Sequence, residues 1–266
     1  MKLSIPLKDI IIAPGERFDP SSSSEKDVID RVRKIYGVIA EVMDITVQDG
    51  VVEIEFLNAT PEKFKAAMKA LKKGVDEAGK GRLSEALKLF QEVLAVIPEN
   101  VAARRNIAKV YLEQKKIDKA KQRLNECLQI DPKDTWSHVM LANIYARNEN
   151  NPDVAAFYYD KCLEIQPNDA MVMTNYATLM MEKGEFQKAE ILFKKAIKIQ
   201  DIPNAYYGLA LLYRMGNHIE AARQVLETFF TRAVNMKGVD GSPIHKESKN
   251  LYRELSDTLG VSKKSH

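Results

Sequence analysis

Small and large apolar residues recur along most of the chain at intervals that fit helices. One series of alanines, each followed three positions later by a bulky residue, consists of Ala108, Ala142, Ala177 and Ala210. A second series, each followed four positions later by a large apolar residue, consists of Ala86, Ala120, Ala155, Ala189 and Ala222. Residues three or four apart share one face of a helix, so the two series predict two amphipathic helices in each period.

The period is 33 to 35 residues in both series. Turn-forming positions separate the two helices of each unit at Gly81, Lys115, Asn150, Gly184 and Asn217, and prolines follow three of the units at Pro98, Pro132 and Pro167. Glycine and asparagine tolerate the left-handed backbone that ends a helix, and proline prevents the next helix from continuing the last one. A single unit is too small to bury its apolar face, so we expect the units to stack.

This pattern resembles the tetratricopeptide repeat family, whose motif is W-x2-L-G-x2-Y, then A-x3-F, then P over 34 residues. Matching segments are Ile107-Ala108-x2-Tyr111, Leu141-Ala142-x2-Tyr145 and Leu209-Ala210-x2-Tyr213. Five repeats span roughly residues 60–233. The first departs from the motif at Lys73-Gly74, the third has one extra residue near its turn, and the last lacks its proline. The resemblance implies a mainly α fold, a right-handed α-α superhelix.

The two ends of the chain do not follow the repeat. Residues 1–60 predict a small α+β unit: an extended segment, a helix over residues 21–43, and a β-hairpin around Gln48-Asp49-Gly50. We expect this unit to cap the solenoid of residues 61–236. Residues 242–260 predict a capping helix with Ser242 as N-cap, Pro243 at the first position and an apolar stripe from Ile244 to Leu259. Residues 261–266 are expected to be a disordered tail.

Composition narrows the function classes only slightly. The net charge of +3 does not predict nucleic-acid binding, and no apolar run is long enough to predict membrane insertion. Two cysteines and no secretory leader favour a cytoplasmic protein. The charge is uneven, because residues 1–62 have 7 basic and 12 acidic residues whereas the remainder has 33 basic and 25 acidic ones. The opposite net charges of residues 1–62 and of the remainder allow self-association, although a solvated surface is the simpler interpretation.

No catalytic or metal-binding pattern is present in the sequence. The four histidines are isolated from one another and from cysteine, and His138 and His218 are expected to be exposed to solvent. Cys127 and Cys162 fall at equivalent repeat positions, where we expect buried and unreactive thiols. Glu53 and Glu55 share a predicted strand face, for which a solvated surface is the better interpretation. We therefore expect no enzyme activity and no cofactor.

The family resemblance also implies where a partner would bind. The first helix of each repeat lines the concave side, and ligands contact its second, fifth, sixth, ninth, twelfth and thirteenth positions. From these positions we predict a peptide-binding groove formed by Arg105, Asn106, Lys109, Trp136, Met140, Asn143, Arg147, Met171, Asn175, Thr178, Tyr207, Leu211 and Arg214. Tryptophan and arginine often dominate binding energy, and methionine adapts to varied apolar ligands.

One family subtype grips a peptide's terminal carboxylate with two asparagines and several basic residues. Asn143 and Asn175 match the asparagines, but Val139, Asn204 and Gly208 stand in place of the basic residues. The sequence therefore favours an apolar or amphipathic peptide or partner helix over a carboxylate ligand. The resulting hypothesis is a non-enzymatic interaction scaffold with a protein or peptide partner. The alternative is an assembly protein, a possible homo-oligomer that associates through its acidic N-terminal unit and basic repeats.

Overall fold

A computed structural model of the chain describes residues 2–6, 29, 43–48, 51–56, 61–236 and 238–260. By its internal contacts the chain divides into two units, Met1–Ser137 and His138–His266. Helices make up most of the described residues, as the repeat pattern predicts. The predicted tail, and the predicted N-terminal helix apart from residue 29, lie outside the described residues.

The first unit begins with three strands, β1 (Lys2–Pro6), β2 (Met43–Gln48) and β3 (Val51–Phe56). They form an antiparallel sheet in the order β1-β3-β2, in which Asp44 and Lys2 both pair with Glu55. β2 and β3 lie on either side of the predicted turn, whose residues 49–50 are outside the described ranges. Because most of the segment predicted as a helix is also outside them, the α+β unit stays a prediction.

Four helices complete the first unit: α1 (Pro61–Gly79), α2 (Leu83–Val96), α3 (Val101–Glu113) and α4 (Ile117–Ile130). Helix α5 (Thr135–Arg147) begins in this unit and continues in the second. Buried Ala86, Phe90, Val93, Ala103 and Ile107 form a common core between α2 and α3. These are the small and large positions of the repeat pattern, so the core of the unit lies where the periodicity predicts it.

The second unit continues with α6 (Pro152–Ile165), α7 (Ala170–Glu182), α8 (Phe186–Ile199), α9 (Pro203–Met215), α10 (Ile219–Ala233) and α11 (Pro243–Thr258). A single buried cluster extends through α5 to α9 and includes Ala142, Tyr159, Tyr176, Phe193 and Leu209. Each helix pair therefore shares its core with the next pair, which is how units too small to be stable alone become stable together.

The turns within the repeats have the backbone geometry that the sequence predicts. Gly81, Lys115, Asn150, Gly184 and Asn217 all have positive φ, between 48° and 80°. In four repeats an amide just after the turn donates to the carbonyl of the residue five positions earlier, as His218 N does to Tyr213 O at 2.8 Å. This bond closes the end of a helix. In the third repeat the corresponding bond spans six residues, from Asn151 N to Tyr145 O, because of the extra residue.

The last helix, α11, follows its predicted start closely. Ser242 accepts a hydrogen bond from His245 N at 3.3 Å, and Pro243 occupies the first helical position. Leu251 and Leu255 are buried against Ala222 and Leu226 of α10. The prediction that Leu259 belongs to this apolar stripe is wrong, because the helix ends at Thr258 and Leu259 is 38% exposed.

Two further expectations need correction. The prediction of an exposed His138 is wrong: the residue is only 8% exposed, with its ring 5.9 Å from that of Tyr158, because it lies on the core side of α5. The Lys73-Gly74 pair is less irregular than its sequence indicates, because Gly74 supplies the small residue of the first repeat. It is buried against the Phe90 ring, and a Cβ at Gly74 would lie 2.6 Å from Phe90 Cε1. His218 is exposed and both cysteines are buried and free, as predicted.

The backbone of Lys115 predicts that a glycine there stabilises the protein. Its φ of 58° places a Cβ-bearing residue in the left-handed region, which costs about 1–2 kcal/mol. Lys115→Gly should therefore raise the free energy of unfolding in urea, by up to about 1 kcal/mol after the entropy lost by glycine is counted. Lys116→Gly is the matched control, because the φ of Lys116 is −92° and its replacement should not stabilise. Equal effects of the two substitutions would contradict the strain argument.

The contact between Gly208 and Phe193 predicts a large effect from one added methyl group. A Cβ at Gly208 would lie 2.4 Å from Phe193 Cζ, and the Phe193 side chain is fully buried. Gly208→Ala should lower the free energy of unfolding by about 1–3 kcal/mol, because the ring has no free space to move into. Gly79→Ala in α1 is the control, since a Cβ there meets nothing within 4 Å and alanine favours helix. A neutral or stabilising Gly208→Ala would show that α8 and α9 are not in close contact.

Burial of Cys127 predicts a loss of stability at alkaline pH. The thiol is fully buried, donates to Val101 O at 3.7 Å, and has its pKa raised to about 11 by that burial. A folded pKa above the unfolded one means that the contribution is intact below about pH 8.5 and is lost as pH rises toward 11. The free energy of unfolding should fall by about 2 kcal/mol more between pH 8 and 10 in the wild type than in Cys127→Ala. Parallel pH profiles for the two proteins would contradict this assignment.

Candidate peptide-binding face

The thirteen predicted groove residues lie on α3, α5, α7 and α9. Capping side chains fix where three of these helices begin: Asn100, Asp134 and Asp169 each accept from the backbone amide three residues later, at 2.7, 3.2 and 2.9 Å. None of the thirteen residues is fully buried, and the residues between them on the same helices form the core. Lys109, Arg147 and Met171 are exposed, whereas the other ten are half-buried.

In the first unit the predicted residues surround one arginine. Arg105 Nη1 lies 3.4 Å from Asp134 Oδ1, and its guanidinium carbon lies 5.6 Å from the centre of the Trp136 ring. Asp134 is only 2% exposed and also accepts from Ser137 Oγ at 2.5 Å. Arg105 therefore links the start of α5 to α3 and supports the half-buried Trp136 by a cation–π contact. Arg105 therefore has a structural role, and it is also partly accessible to a ligand.

The other two predicted residues of the first unit differ in availability. Asn106 Nδ2 donates to Ala102 O of its own helix at 2.8 Å, which occupies part of the amide. Lys109 is exposed and makes no ion pair with any residue that the structure describes. Lys109 is thus the available cation on this part of α3.

In the second unit α5 presents Met140, Asn143 and Arg147 along one stripe. Asn143 Oδ1 accepts from Tyr159 OH at 2.6 Å, so its carbonyl is used within the repeat and its NH2 group is left for another acceptor. Burial raises the pKa of Tyr159 to about 12, which keeps the phenol protonated as the donor. Arg147 is exposed and forms no ion pair with a described residue.

Helix α7 presents Met171, Asn175 and Thr178 along the equivalent stripe. Met171 is 53% exposed although it is a large apolar residue on a helix whose other face is almost wholly buried. Asn175 is half-buried and forms no hydrogen bond to a described residue, whereas Thr178 Oγ1 donates to Thr174 O at 3.1 Å. Met171 and Asn175 therefore offer an apolar contact and an unused amide side by side on one helix face.

The three predicted residues of α9 lie against the last helix. Tyr207 and Leu211 pack against the cluster that contains Leu251 and Leu255 of α11, and Arg214 Nη1 lies 3.1 Å from both carboxylate oxygens of Glu254. Burial raises the pKa of Tyr207. The helix that makes these contacts is the predicted capping helix. Since a capping helix covers the last repeat, the sequence alone gave reason to leave Tyr207 and Leu211 out of the predicted groove.

Some of these contacts could not be found from sequence. The Tyr159–Asn143 hydrogen bond and the Arg105–Asp134 pair depend on side-chain directions that spacing does not give. The N-caps of these helices could have been predicted from sequence but were not. Asn or Asp just before a helical segment is a recognisable pattern of a helix start.

Comparisons with known proteins agree with the repeat geometry. Three family models described as tetratricopeptide repeat match residues 77–144, 137–169 and 158–191. A tetratricopeptide repeat protein structure from Thermus thermophilus aligns with 70% of this chain and 98% of its own, at 20% identity and a TM-score of 0.56. Residues 77–191 therefore consist of tetratricopeptide repeats.

Other similar structures have varied names. PilW, described as a type IV pilus biogenesis factor, aligns with 77% of this chain and 94% of its own, at 20% identity and a TM-score of 0.59. Yeast Tom70 aligns with 74% of this chain and 41% of its own, at 18% identity and a TM-score of 0.62. At this identity the likeness shows the fold alone.

Two curated relatives are much longer than the matched region. Human protein O-mannosyl-transferase TMTC3 is 25% identical over an alignment of 176 residues. The match covers 51% of this chain and 19% of that protein. The Drosophila melanogaster BBSome complex member BBS4 homolog is 23% identical over 154 residues, 58% of this chain and 31% of that protein. The chain thus spans less than a third of either relative.

Neither a metal centre nor a membrane span occurs among the described residues. No group of three or more His, Cys, Asp or Glu side chains in these ranges is placed to hold a metal ion. No helix in that part of the chain is both long and apolar enough to cross a membrane.

Proposed function

We propose that this chain is a non-enzymatic scaffold that binds a protein segment on the exposed faces of its first repeat helices. Tetratricopeptide repeats bind protein partners, which is the family-level basis of the proposal. The observation that supports it in this chain is the face of α7, where Met171 is 53% exposed next to an unused Asn175 amide. The repeat core uses neither of these two side chains, so both are accessible to a partner.

The side chains of this face indicate the chemistry of the partner. Met140 and Met171 offer apolar contacts, and the amide of Asn175 offers both a donor and an acceptor for a peptide group. Arg147, also in the second unit, is an exposed cation without a described ion-pair partner. The partner that fits these groups is a peptide segment with apolar side chains and at least one carboxylate. A terminal carboxylate clamp is not supported, because Val139, Asn204 and Gly208 occupy the positions of its basic residues.

A peptide-display selection with the full chain tests this proposal. Short random peptides enriched on the chain should combine apolar and acidic residues, and a synthetic peptide of that consensus should bind in fluorescence polarisation. The Met171→Ala/Asn175→Ala double variant should weaken binding at least about tenfold, since it removes an apolar contact and a hydrogen-bonding group. Arg147→Glu should weaken binding further for peptides with more carboxylates.

Two controls make the result specific. Phe157→Ala removes a side chain of α6 that is 55% exposed, close to the exposure of Met171, and should leave the affinity unchanged. Peptides with amidated and free C-termini should bind equally. The proposal is wrong if no acidic apolar consensus is enriched, or if the double variant binds as tightly as the wild type.

Self-association through the acidic N-terminal unit and the basic repeats is the alternative function. The two functions are compatible, because binding on first-helix faces leaves the outer faces of the second helices free. A specific observation favours the alternative, namely the charge distribution on α8.

A further inference from the structure

The outer face of α8 contains both basic and large apolar side chains. Its exposed charged residues are Lys188, Lys194, Lys195 and Lys198, and its exposed large apolar residues are Phe186, Ile191 and Ile199, which are 47%, 54% and 44% exposed. Glu190 is the one carboxylate of the helix. It is held between Lys194 Nζ and Tyr213 OH, both at 2.7 Å, and Lys194 keeps its pKa below the usual value. Glu190 therefore does not neutralise the rest of the face.

Two of the four lysines form no pair with any described residue. Lys188 donates to Tyr176 OH at 2.7 Å and lies over its ring, and Lys194 is paired with Glu190. Lys195 and Lys198 make no ion pair or hydrogen bond to any residue described by the structure. Ile191, Lys195 and Ile199 are four residues apart, so they form one stripe along the helix. The stripe and the adjacent Lys198 combine apolar side chains with cations that have no described partner, which is the composition of a docking surface.

The repeat itself does not require this composition. At the position of Lys195 the second helices of the first two repeats have Glu92 and Glu126, and at the position of Lys198 the third repeat has Glu164. Packing of successive repeats is thus compatible with acidic residues at these places. The third repeat has Lys161 at the position of Lys195, but no other repeat has a lysine at the position of Lys198, so the combination of Lys195 and Lys198 occurs on α8 alone among the second helices.

The chain contains a segment of matching charge. Between Lys34 and Lys63 there is no basic residue, whereas there are six carboxylates: Glu41, Asp44, Asp49, Glu53, Glu55 and Glu62. Three of them fall on the strands of the β2–β3 hairpin, where Asp44 pairs directly with Glu55. Lys2, on the far side of Glu55, is the one basic residue in the three strands.

We propose that the chain self-associates by docking the β2–β3 hairpin of one copy on the outer face of α8 of another. Lys195 and Lys198 would pair with the hairpin carboxylates, and Ile191 and Ile199 would be covered by the docked hairpin. The same two surfaces occur on every copy, so the contact closes into a symmetric dimer or continues as a chain of copies. This proposal is independent of peptide binding on α7, because α8 presents a different helix face.

Sedimentation velocity of the full chain at low and high salt is the first test. Association at low salt that is reversed at high salt is expected, because exposed ion pairs are screened. Lys195→Glu/Lys198→Glu and, separately, Glu53→Lys/Glu55→Lys should each weaken association at least about tenfold by replacing attraction with repulsion. Lys246→Glu/Lys249→Glu on α11 is the matched control, because it changes the charge equally on two exposed lysines with the same spacing. It should leave association unchanged.

A mixing experiment assigns the contact to these two surfaces. Each reversed variant alone has like charges on its hairpin and on α8, and should remain monomeric. An equimolar mixture of the two restores opposite charges between copies and should associate again. Circular dichroism verifies that every variant is folded.

Three results would overturn the proposal. One is a wild-type chain that is monomeric at both salt concentrations, which would also follow if the hairpin met α8 of its own copy. Another is a mixture of the reversed variants that stays monomeric. The third is a wild-type monomer that sediments with phosphatidylglycerol vesicles through Lys195 and Lys198, which would assign the α8 face to anionic lipid.

Discussion

Contact between a large side chain and a small residue on the neighbouring helix is the interaction on which this structure depends. Phe193 against Gly208 in the second unit and Phe90 against Gly74 in the first are its tightest instances, with no space for a methyl group on the glycine. Close approach of the helices lets the remaining apolar positions meet and exclude water, and burial of that surface is the main stabilising term. The left-handed turns and N-caps then determine where each helix stops and starts.

This contact also determines which residues remain for function. A first helix uses the small and bulky positions for its core, so the positions between them face away from it. On α7 this leaves Met171 and Asn175 accessible, whereas on α9 the equivalent face is covered by α11. On α8 the outward positions are lysine and isoleucine. One packing rule therefore produces several chemically different surfaces, and the surfaces, more than the fold, distinguish this chain from other proteins with the same repeats.

The sequence was sufficient for the fold because its signal is repeated. Five alanines at one period and five turn positions all predicted structure that is present. Single residues were harder. The polarity of histidine predicts an exposed His138, yet its place on α5 is a core position. Gly74 looks irregular because the residue before it is lysine, although the helix needs only the small residue there. Periodicity gives the face of a helix, whereas the partners of Arg105 and Asn143 depend on side-chain directions and neighbouring helices that periodicity does not contain.

Native-state hydrogen exchange of the full chain, read by mass spectrometry, tests most directly whether helix-to-helix packing holds the protein together. If it does, the most slowly exchanging amides will lie in α3, α7, α8 and α9, around Ala108, Ala177, Phe193 and Gly208, and the turns at Lys115 and Gly184 will exchange rapidly. Slowest exchange in β1–β3, with the repeat helices open, would contradict the account, because the stability of the chain would then reside outside the repeats.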